Sequence, residues 1–180
     1  PYVRRAADYV SGKLPICTGI GFPNGYDTTA AKSFMAKDAI ENGADEIDYV
    51  IDITQLKEKN YGYIQKEMAD VVALCRAAHV ISKVIFENCY LTDEEKRTLC
   101  AIAREVRPDF IKTSTGFGTG GATLEDVALM KQAVGDAVRV KAAGGVRTLE
   151  TALRLIDLGV SRIGSTASVA IVEELKAKII

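Results

Sequence analysis

Two lysines occur where short apolar segments of the chain end, and they are the residues best suited to covalent chemistry. Lys112 lies in the segment FIKTSTGF and Lys141 in the segment VRVKAAGG. A lysine inside a β-branched strand is disfavoured unless its charge is paired or used. A lysine amine has an ordinary pKa of about 10.4, and burial and a second cation lower such a pKa, so that the neutral amine can attack a carbonyl group. The pair predicts Schiff-base chemistry, with ion pairing to nearby carboxylates as the structural alternative.

A carboxylate is predicted to accompany these lysines. Residues 46–53 have the sequence EIDYVIDI, in which apolar and acidic side chains alternate. In a strand such alternation sends the two sets to opposite faces. We expect the apolar set to pack against helices and the acidic set, Glu46, Asp48 and Asp52, to point inward. Asp48 paired with one lysine can shuttle protons while the other lysine carries the substrate.

Two glycine-containing segments connect predicted strands to predicted helices. They are AGGVRT at residues 143–148 and IGSTAS at residues 163–168. Glycines let backbone N–H groups approach an anion, and the N-terminus of the following helix adds partial positive charge. Ordinary strand-to-helix turns explain each segment when it is taken alone. Both segments together, next to two lysines, predict a phosphate site.

The elements that must position these residues alternate along the chain. Composition and periodicity predict strands at residues 16–21, 46–53, 83–88, 110–113, 138–142 and 162–165, and helices at residues 29–42, 61–78, 92–106, 123–134, 148–158 and 168–178. The segment Thr92-Asp93-Glu94-Glu95 has a capping-box pattern, and Asn42-Gly43 is a fitting helix stop. Strands that alternate with helices over short connections predict an α/β fold with a parallel sheet.

A (β/α)8 barrel of the TIM-barrel type fits this order better than an open, doubly wound sheet. A nucleotide-binding doubly wound fold shows GxGxxG after its first strand, or a P-loop, and the segment GFGTGG at residues 116–121 has neither the spacing nor the position. In a barrel, catalytic groups lie at strand C-termini, and phosphate binds the loops after strands seven and eight. Six predicted strands indicate one domain, residues 1–180, that lacks the first two strands of the barrel.

Composition and charge exclude several other classes of protein. The formal net charge is −1, which offers no overall field for nucleic acid or for an anionic membrane. No apolar segment is long enough to span a bilayer. The single histidine, His79, argues against a His-rich metal site and against a Ser-His-Asp triad, and we expect no metal. Four cysteines without a CxxC pair predict reduced thiols in a cytoplasmic protein.

Several segments in order resemble the deoxyribose-phosphate aldolase family, and the resemblance covers essentially the whole chain. The most specific matches are KTSTGF at residues 112–117 and KAAGGVRT at residues 141–148. The segments CTGIGFPNG at 17–25, GADEID at 43–48 and ENCYLTD at 87–93 resemble the family's third, fourth and fifth strand regions. The order of the matches makes a chance resemblance improbable.

The resemblance implies a role for each matching residue. Lys112 matches the Schiff-base lysine, Lys141 the second lysine that perturbs it and joins proton transfer, and Asp48 the acid/base carboxylate. The phosphate-site loops are matched by Gly116, Gly144, Gly145, Gly164, Ser165 and Thr166. The implied reaction is the reversible cleavage of 2-deoxy-D-ribose 5-phosphate into D-glyceraldehyde 3-phosphate and acetaldehyde, without metal or organic cofactor.

The chain departs from the family pattern in two places. It starts at what resembles the proline of the family's second strand, and Ala167 stands where a hydroxyl residue is common. Open strand edges pair readily with another chain, and we expect a homo-oligomer, a dimer or larger.

Two alternatives to the implied function stay open. One is an aldolase for a different phosphorylated aldehyde, and the other is an inactive truncated paralogue that binds a sugar phosphate or serves as an assembly subunit.

Overall fold

Helices and strands alternate along the chain in a computed structural model that describes residues 1–179. The strands are β1 (Cys17–Ile20), β2 (Glu46–Val50), β3 (Ile81–Ile85), β4 (Phe110–Lys112), β5 (Arg139–Ala143) and β6 (Arg162–Gly164). The α-helices are α1 (Val3–Val10), α2 (Thr29–Glu41), α3 (Ile53–Lys57), α4 (Tyr61–Ala77), α5 (Asp93–Val106), α6 (Leu124–Val134), α7 (Leu149–Asp157) and α8 (Ser168–Ile179). The predicted α/β class is confirmed.

Every predicted strand and helix is present, and the ends differ from the prediction by at most three residues. Helices α1 and α3 and a short 3-10 turn at Asn88–Tyr90 were not predicted. The predicted capping box is confirmed at α5, where the backbone N–H of Thr92 donates to the Glu95 carboxylate at 2.7 Å and the backbone N–H of Glu95 donates to the Thr92 hydroxyl at 3.3 Å. Local side-chain hydrogen bonds therefore fix where α5 begins.

The described structure divides into two compact units, of which the first consists of Pro1–Ile85 and Glu105–Asp109. In this unit β1, β2 and β3 form a parallel sheet in chain order, and Asp48 is aligned with Gly19 on one side and Lys83 on the other. Helices α2 and α4 lie between successive strands, as parallel pairing requires. All five residues of β2 are buried, Ile47 and Tyr49 completely, and α4 contributes a buried apolar face to this core.

Strand β2 ends at Val50, earlier than predicted. The side chain of Asp52 accepts hydrogen bonds from the backbone N–H groups of Thr54 at 3.0 Å and Gln55 at 3.1 Å, and so begins α3. The prediction that Asp52 and Ile53 continue the alternating strand was wrong. The Asp52 side chain bonds the first N–H groups of a helix, and this cap favours the helix over a longer strand. Asp48 and Glu46 do share one face, as predicted, since both contact Lys83.

The second unit consists of Phe86–Arg104 and the chain from Phe110 onward. Its strands β4, β5 and β6 form a parallel sheet in chain order, in which Lys112 is aligned with Lys141 and Lys141 with Arg162. The ring of Phe110 lies 4.0 Å from the guanidinium carbon of Arg139 and 4.9 Å from that of Arg162. The sheet of this unit therefore carries several cations on neighbouring strands.

All four cysteines are free thiols. Burial raises the pKa of Cys75 to about 11 and that of Cys100 to about 12. Such thiols are mostly protonated at neutral pH and react slowly with thiol reagents. Across the helices of residues 1–179, none combines the length and the apolar character needed to cross a membrane.

Candidate active site

A cavity of about 420 Å³ lies at the C-terminal ends of β4, β5 and β6. Eight of the nine predicted site residues line it, namely Lys112, Lys141, Gly116, Gly144, Gly145, Gly164, Ser165 and Thr166. The carboxyl ends of parallel strands are where α/β folds place their functional groups. The fold thus brings together residues that lie up to 54 positions apart in sequence, from 112 to 166.

The two lysines occupy equivalent positions on neighbouring strands. Lys112 of β4 and Lys141 of β5 are register partners, and paired positions of adjacent parallel strands, about 4.8 Å apart, present their side chains to the same face. Lys112 is only 7% exposed, whereas Lys141 is half-buried. A Cβ added at Gly164 would lie 3.1 Å from the Cβ of Ala143, so a glycine keeps the space beside β5 open. One cavity therefore contains two primary amines.

Thr113 fixes the end of β4 to the end of β5. Its fully buried hydroxyl donates to the carbonyl oxygen of Ala143 at 3.1 Å and accepts from the N–H of the same residue at 3.1 Å. The backbone N–H of Thr113 donates to the carbonyl oxygen of Lys141 at 3.1 Å. These bonds restrict relative movement of the two lysine-bearing segments.

A buried glutamate organises the loop that follows β4. The Glu87 carboxylate accepts from the backbone N–H of Thr115 at 3.1 Å and also from the Thr115 hydroxyl. That hydroxyl in turn accepts from the N–H of Phe117 at 3.0 Å. Glu87 was not among the residues selected from the sequence, although its acidic side chain directly after the apolar segment VIF was a signal.

The loops after β4 and β5 pack closely through glycines. Gly144 and Gly145 have φ angles of 83° and 77°, a left-handed conformation that favours glycine. A Cβ on Gly121 would lie 2.3 Å from the carbonyl oxygen of Gly144, so the two loops can approach only without a side chain there. The N–H of Ala122 donates to that carbonyl at 3.0 Å.

The hydroxyl of Ser165 is engaged with the backbone. It donates to the carbonyl oxygen of Val146 at 2.5 Å and accepts from the N–H of Ala167 at 2.9 Å. Ser165 therefore joins the loop after β6 to the loop after β5.

Arg147, which sequence reasoning did not select, also lines the cavity and brings a permanent positive charge. Its place directly before the helix cap Thr148 was the available signal.

Asp48, the ninth predicted residue, belongs to the first unit and is 4% exposed. Its Oδ1 accepts from Lys83 Nζ at 2.6 Å and from Cys17 Sγ at 3.2 Å. Lys83 Nζ also lies 2.7 Å from Glu46 Oε2. Burial by itself lowers the pKa of Lys83, but the charges of Asp48 and Cys17 and the hydrogen bonds to Asp48 and Glu46 outweigh it and raise that pKa above its ordinary value. A lysine inside the apolar segment ISKVI was the signal that sequence reasoning missed.

The polar groups of the cavity suit an anion. They include two lysines, an arginine and backbone N–H groups of glycine-containing loops that lead into α7 and α8. Within the part of the chain that the structure describes, no three His, Cys, Asp or Glu side chains are grouped so as to hold a metal ion. The arrangement can bind a phosphorylated carbonyl compound and present an amine to it.

Comparison with known proteins identifies the class to which such a site belongs. The sequence matches a family model described as DeoC/LacD family aldolase over residues 11–165. A deoxyribose-phosphate aldolase of Streptococcus agalactiae serotype Ia is 52% identical over 177 residues, which make up 98% of this chain and 78% of that protein. The chain belongs to the DeoC/LacD aldolase family.

Solved structures agree with this assignment. The structure of QR15, an aldolase, matches 98% of this chain and 79% of its own with a TM-score of 0.91 and 37% identity. A deoxyribose phosphate aldolase from Aeropyrum pernix, described as tetrameric, matches 98% of this chain and 75% of its own with a TM-score of 0.89 and 26% identity. The predicted family and the predicted enzyme class, an aldolase and hence a lyase, are confirmed.

Proposed function

We propose that this chain catalyses the reversible cleavage of 2-deoxy-D-ribose 5-phosphate into D-glyceraldehyde 3-phosphate and acetaldehyde through an imine on Lys112. The observation that carries the proposal is that two lysines on register-paired positions share one cavity with glycine loops at helix N-termini. The name of the relative from Streptococcus agalactiae, 52% identical, supports this substrate.

The chemistry requires an amine and a proton shuttle. The Lys112 amine adds to the C1 aldehyde of the open-chain sugar, and loss of water gives an iminium ion. The electron pair of the C2–C3 bond moves into the iminium and leaves an enamine, while the proton of the C3 hydroxyl passes to a base. C3 becomes the aldehyde carbon of glyceraldehyde 3-phosphate. The enamine then takes a proton at C2, and water releases acetaldehyde and restores the amine.

We assign the proton transfers to Lys141 and Asp48. Lys141 lines the same cavity as Lys112 and is its register partner, so a proton can move within one enclosed space. The Asp48 carboxylate accepts hydrogen bonds from Lys83 and Cys17. These hydrogen bonds favour the ionised form of the carboxylate, which is the form that can act as a base.

We assign phosphate binding to the loops after β4, β5 and β6. The left-handed glycines at 144 and 145 turn the backbone before α7, and Gly116, Gly164, Ser165 and Thr166 line the same cavity. Because the Ser165 hydroxyl is held by Val146 and Ala167, we assign its contribution to the backbone rather than to the side chain. Arg147 supplies a positive charge for the phosphate.

We also propose a (β/α)8 barrel of the TIM type as the architecture of this aldolase domain, with residues 1–180 as one domain. The three parallel strands found in each unit, and the place of the cavity at strand C-termini, support it. The absence of the first two barrel strands stays a prediction.

A homo-oligomer is proposed as well, supported by the tetrameric relative from Aeropyrum pernix, and light scattering on the purified chain tests it.

Borohydride trapping tests the proposed reaction. Reduction in the presence of 2-deoxy-D-ribose 5-phosphate is expected to add one sugar-derived mass per chain, and peptide mapping should place it on Lys112. The Lys112→Met variant should show no adduct, whereas Lys141→Met should still form one, more slowly. An adduct on Lys141 in the unaltered chain would contradict the assigned roles. A folded chain that binds the sugar phosphate without any adduct would favour the inactive paralogue instead.

A further inference from the structure

We propose that Lys83 is a positioning residue for the aldolase reaction, whose ammonium group holds the Asp48 carboxylate in place and keeps it ionised. The inference rests on the proposed function, in which Asp48 accepts a proton. Lys83 does not line the cavity at the ends of β4, β5 and β6 and would act only through Asp48.

The geometry of Lys83 is that of a bridge between two carboxylates. Its side chain is completely buried, and Nζ lies 2.6 Å from Asp48 Oδ1 and 2.7 Å from Glu46 Oε2. Lys83 is the register partner of Asp48, so the amine needs to span only the gap between neighbouring strands. Because the Lys83 ammonium is held by both carboxylates, it restricts the direction in which the Asp48 carboxylate points.

Lys83 contributes a positive charge to this cluster of buried carboxylates. The titratable groups that contact this cluster within the unit of Asp48 include Cys17 from β1, Glu46 from β2 and Lys83 from β3. Glu46 is 5% exposed and Asp48 is 4% exposed. Loss of the Lys83 charge would leave two buried carboxylates close together, and both burial and like charge favour protonation of one of them. A protonated Asp48 cannot act as a base.

A second buried lysine of the same unit provides a matched control. Lys32 is also completely buried, and its Nζ lies 2.6 Å from Glu67 Oε1, whose other oxygen accepts from the N–H of Asp52 at 3.1 Å. This pair connects α2 and α4 to the end of β2 and has no contact that we can assign to the reaction. A lysine that serves folding alone should behave like Lys32, whereas Lys83 should also affect the pH dependence.

The Lys83→Met variant is expected to change the pH dependence of turnover. The acidic limb of the kcat/KM profile should move to higher pH by about one unit or more, because Asp48 then ionises less readily. At neutral pH kcat should fall by about 10- to 100-fold, while KM for the sugar phosphate should change by less than about threefold. Lys32→Met should lower the unfolding midpoint but leave the acidic limb in place. An unmoved limb in a folded Lys83→Met protein would overturn the inference.

A third variant tests the proposal in the opposite direction and does not require removal of the lysine. Glu46→Gln removes a negative charge beside Asp48 and keeps the Lys83 bridge, so the acidic limb should move to lower pH. If Lys83→Met does not fold, this variant decides: a downward shift supports the role of the cluster charge, and an unchanged or upward shift contradicts it.

A direct titration separates this inference from the proposed function. The ¹³C carboxyl resonance of Asp48, assigned with Asp48→Asn, should titrate at higher pH in Lys83→Met than in the unaltered chain. If the enzyme is active but neither this titration nor the acidic limb responds to Lys83→Met, the inference is contradicted. The proposed function is then unaffected. A folded chain without turnover or trapped imine would remove the proposed function, and with it any positioning role in catalysis, even if the titration shifts.

Discussion

The lysine side chains of the two units have different environments. In the first unit Lys32 and Lys83 are completely buried, and each has a carboxylate within 2.6 Å. In the second unit Lys112 and Lys141 are register partners that line a cavity together with glycine loops. The difference shows that a lysine in an apolar segment is not by itself a catalytic signal. A neighbouring cation and a cavity distinguish the reactive candidates from the lysines that are buried in ion pairs.

The same difference predicts opposite consequences of mutation. A buried ion pair contributes little net stability, but the removal of one partner leaves an uncompensated buried charge. A lysine that lines a cavity borders open space, so a side chain of similar length can replace it without a steric clash. Substitution of a buried lysine in the first unit should therefore affect mainly folding, with Lys83 as the exception, and substitution of a cavity lysine in the second unit should affect mainly turnover.

The largest effect is expected at Lys112. Replacement by Met should lower kcat/KM for 2-deoxy-D-ribose 5-phosphate by at least about 1,000-fold, because the covalent step is lost. The thermal unfolding midpoint should change little, since a Met side chain of similar length can lie along the same cavity wall. A coupled assay of aldehyde release together with a thermal melt measures both. Turnover like that of the unaltered chain would remove Lys112 from the mechanism.

The next largest effect is expected at Lys32 and concerns stability. Lys32→Met should lower the free energy of unfolding by about 3–5 kcal/mol, because Glu67 is left buried without its ammonium partner. The double variant Lys32→Met, Glu67→Gln should recover part of this loss. Urea denaturation followed by circular dichroism measures both variants. A loss below about 1 kcal/mol in the single variant would show that solvent or another group compensates Glu67.

The elements and the cavity could be predicted from local sequence, because hydrophobic periodicity and helix caps act over a few residues. Thr92 and Glu95 form the predicted capping box, and Asn42 ends α2 as expected. Lys112 and Lys141 were predicted to meet because strand ends of a parallel sheet lie at one edge, and the register confirms it. These results depend on patterns that repeat along the chain.

The details that could not be predicted depend on partners far away in sequence. The bridge from Lys83 to Asp48 spans 35 residues, and the bond from Thr115 to Glu87 spans 28. The composition of a strand shows that a buried charge needs a partner, but not which of several acidic residues supplies it. The end of β2 was misplaced for a different reason, since the alternation of EIDYVIDI continues past the point where Asp52 begins a helix.

A smaller effect is expected from the link between the two lysine-bearing strands. Thr113→Val keeps the shape of the side chain but leaves the N–H of Ala143 without the hydroxyl at 3.1 Å. The free energy of unfolding should fall by about 1–3 kcal/mol, as for other buried donors left unsatisfied. Thr113→Ser, which restores the hydroxyl, is the control and should recover most of the loss. Equal stability of the Val and Ser variants would mean that the hydroxyl does not restrain β4 and β5.

The smallest effect is expected at Ser165 and distinguishes a structural hydroxyl from a ligand-binding one. In the structure this hydroxyl bonds to the backbone of Val146 and Ala167, so Ser165→Ala should lower the free energy of unfolding by about 0.5–1.5 kcal/mol. KM for the sugar phosphate should change by less than about threefold, whereas Arg147→Met should raise it by about tenfold or more, since a charge-assisted contact to phosphate is lost. Steady-state kinetics with phosphorylated and unphosphorylated deoxyribose compares the two variants. If Ser165→Ala raised KM only for the phosphorylated sugar and left stability unchanged, the hydroxyl itself would bind the phosphate, and the loop after β6 would rearrange when the substrate enters.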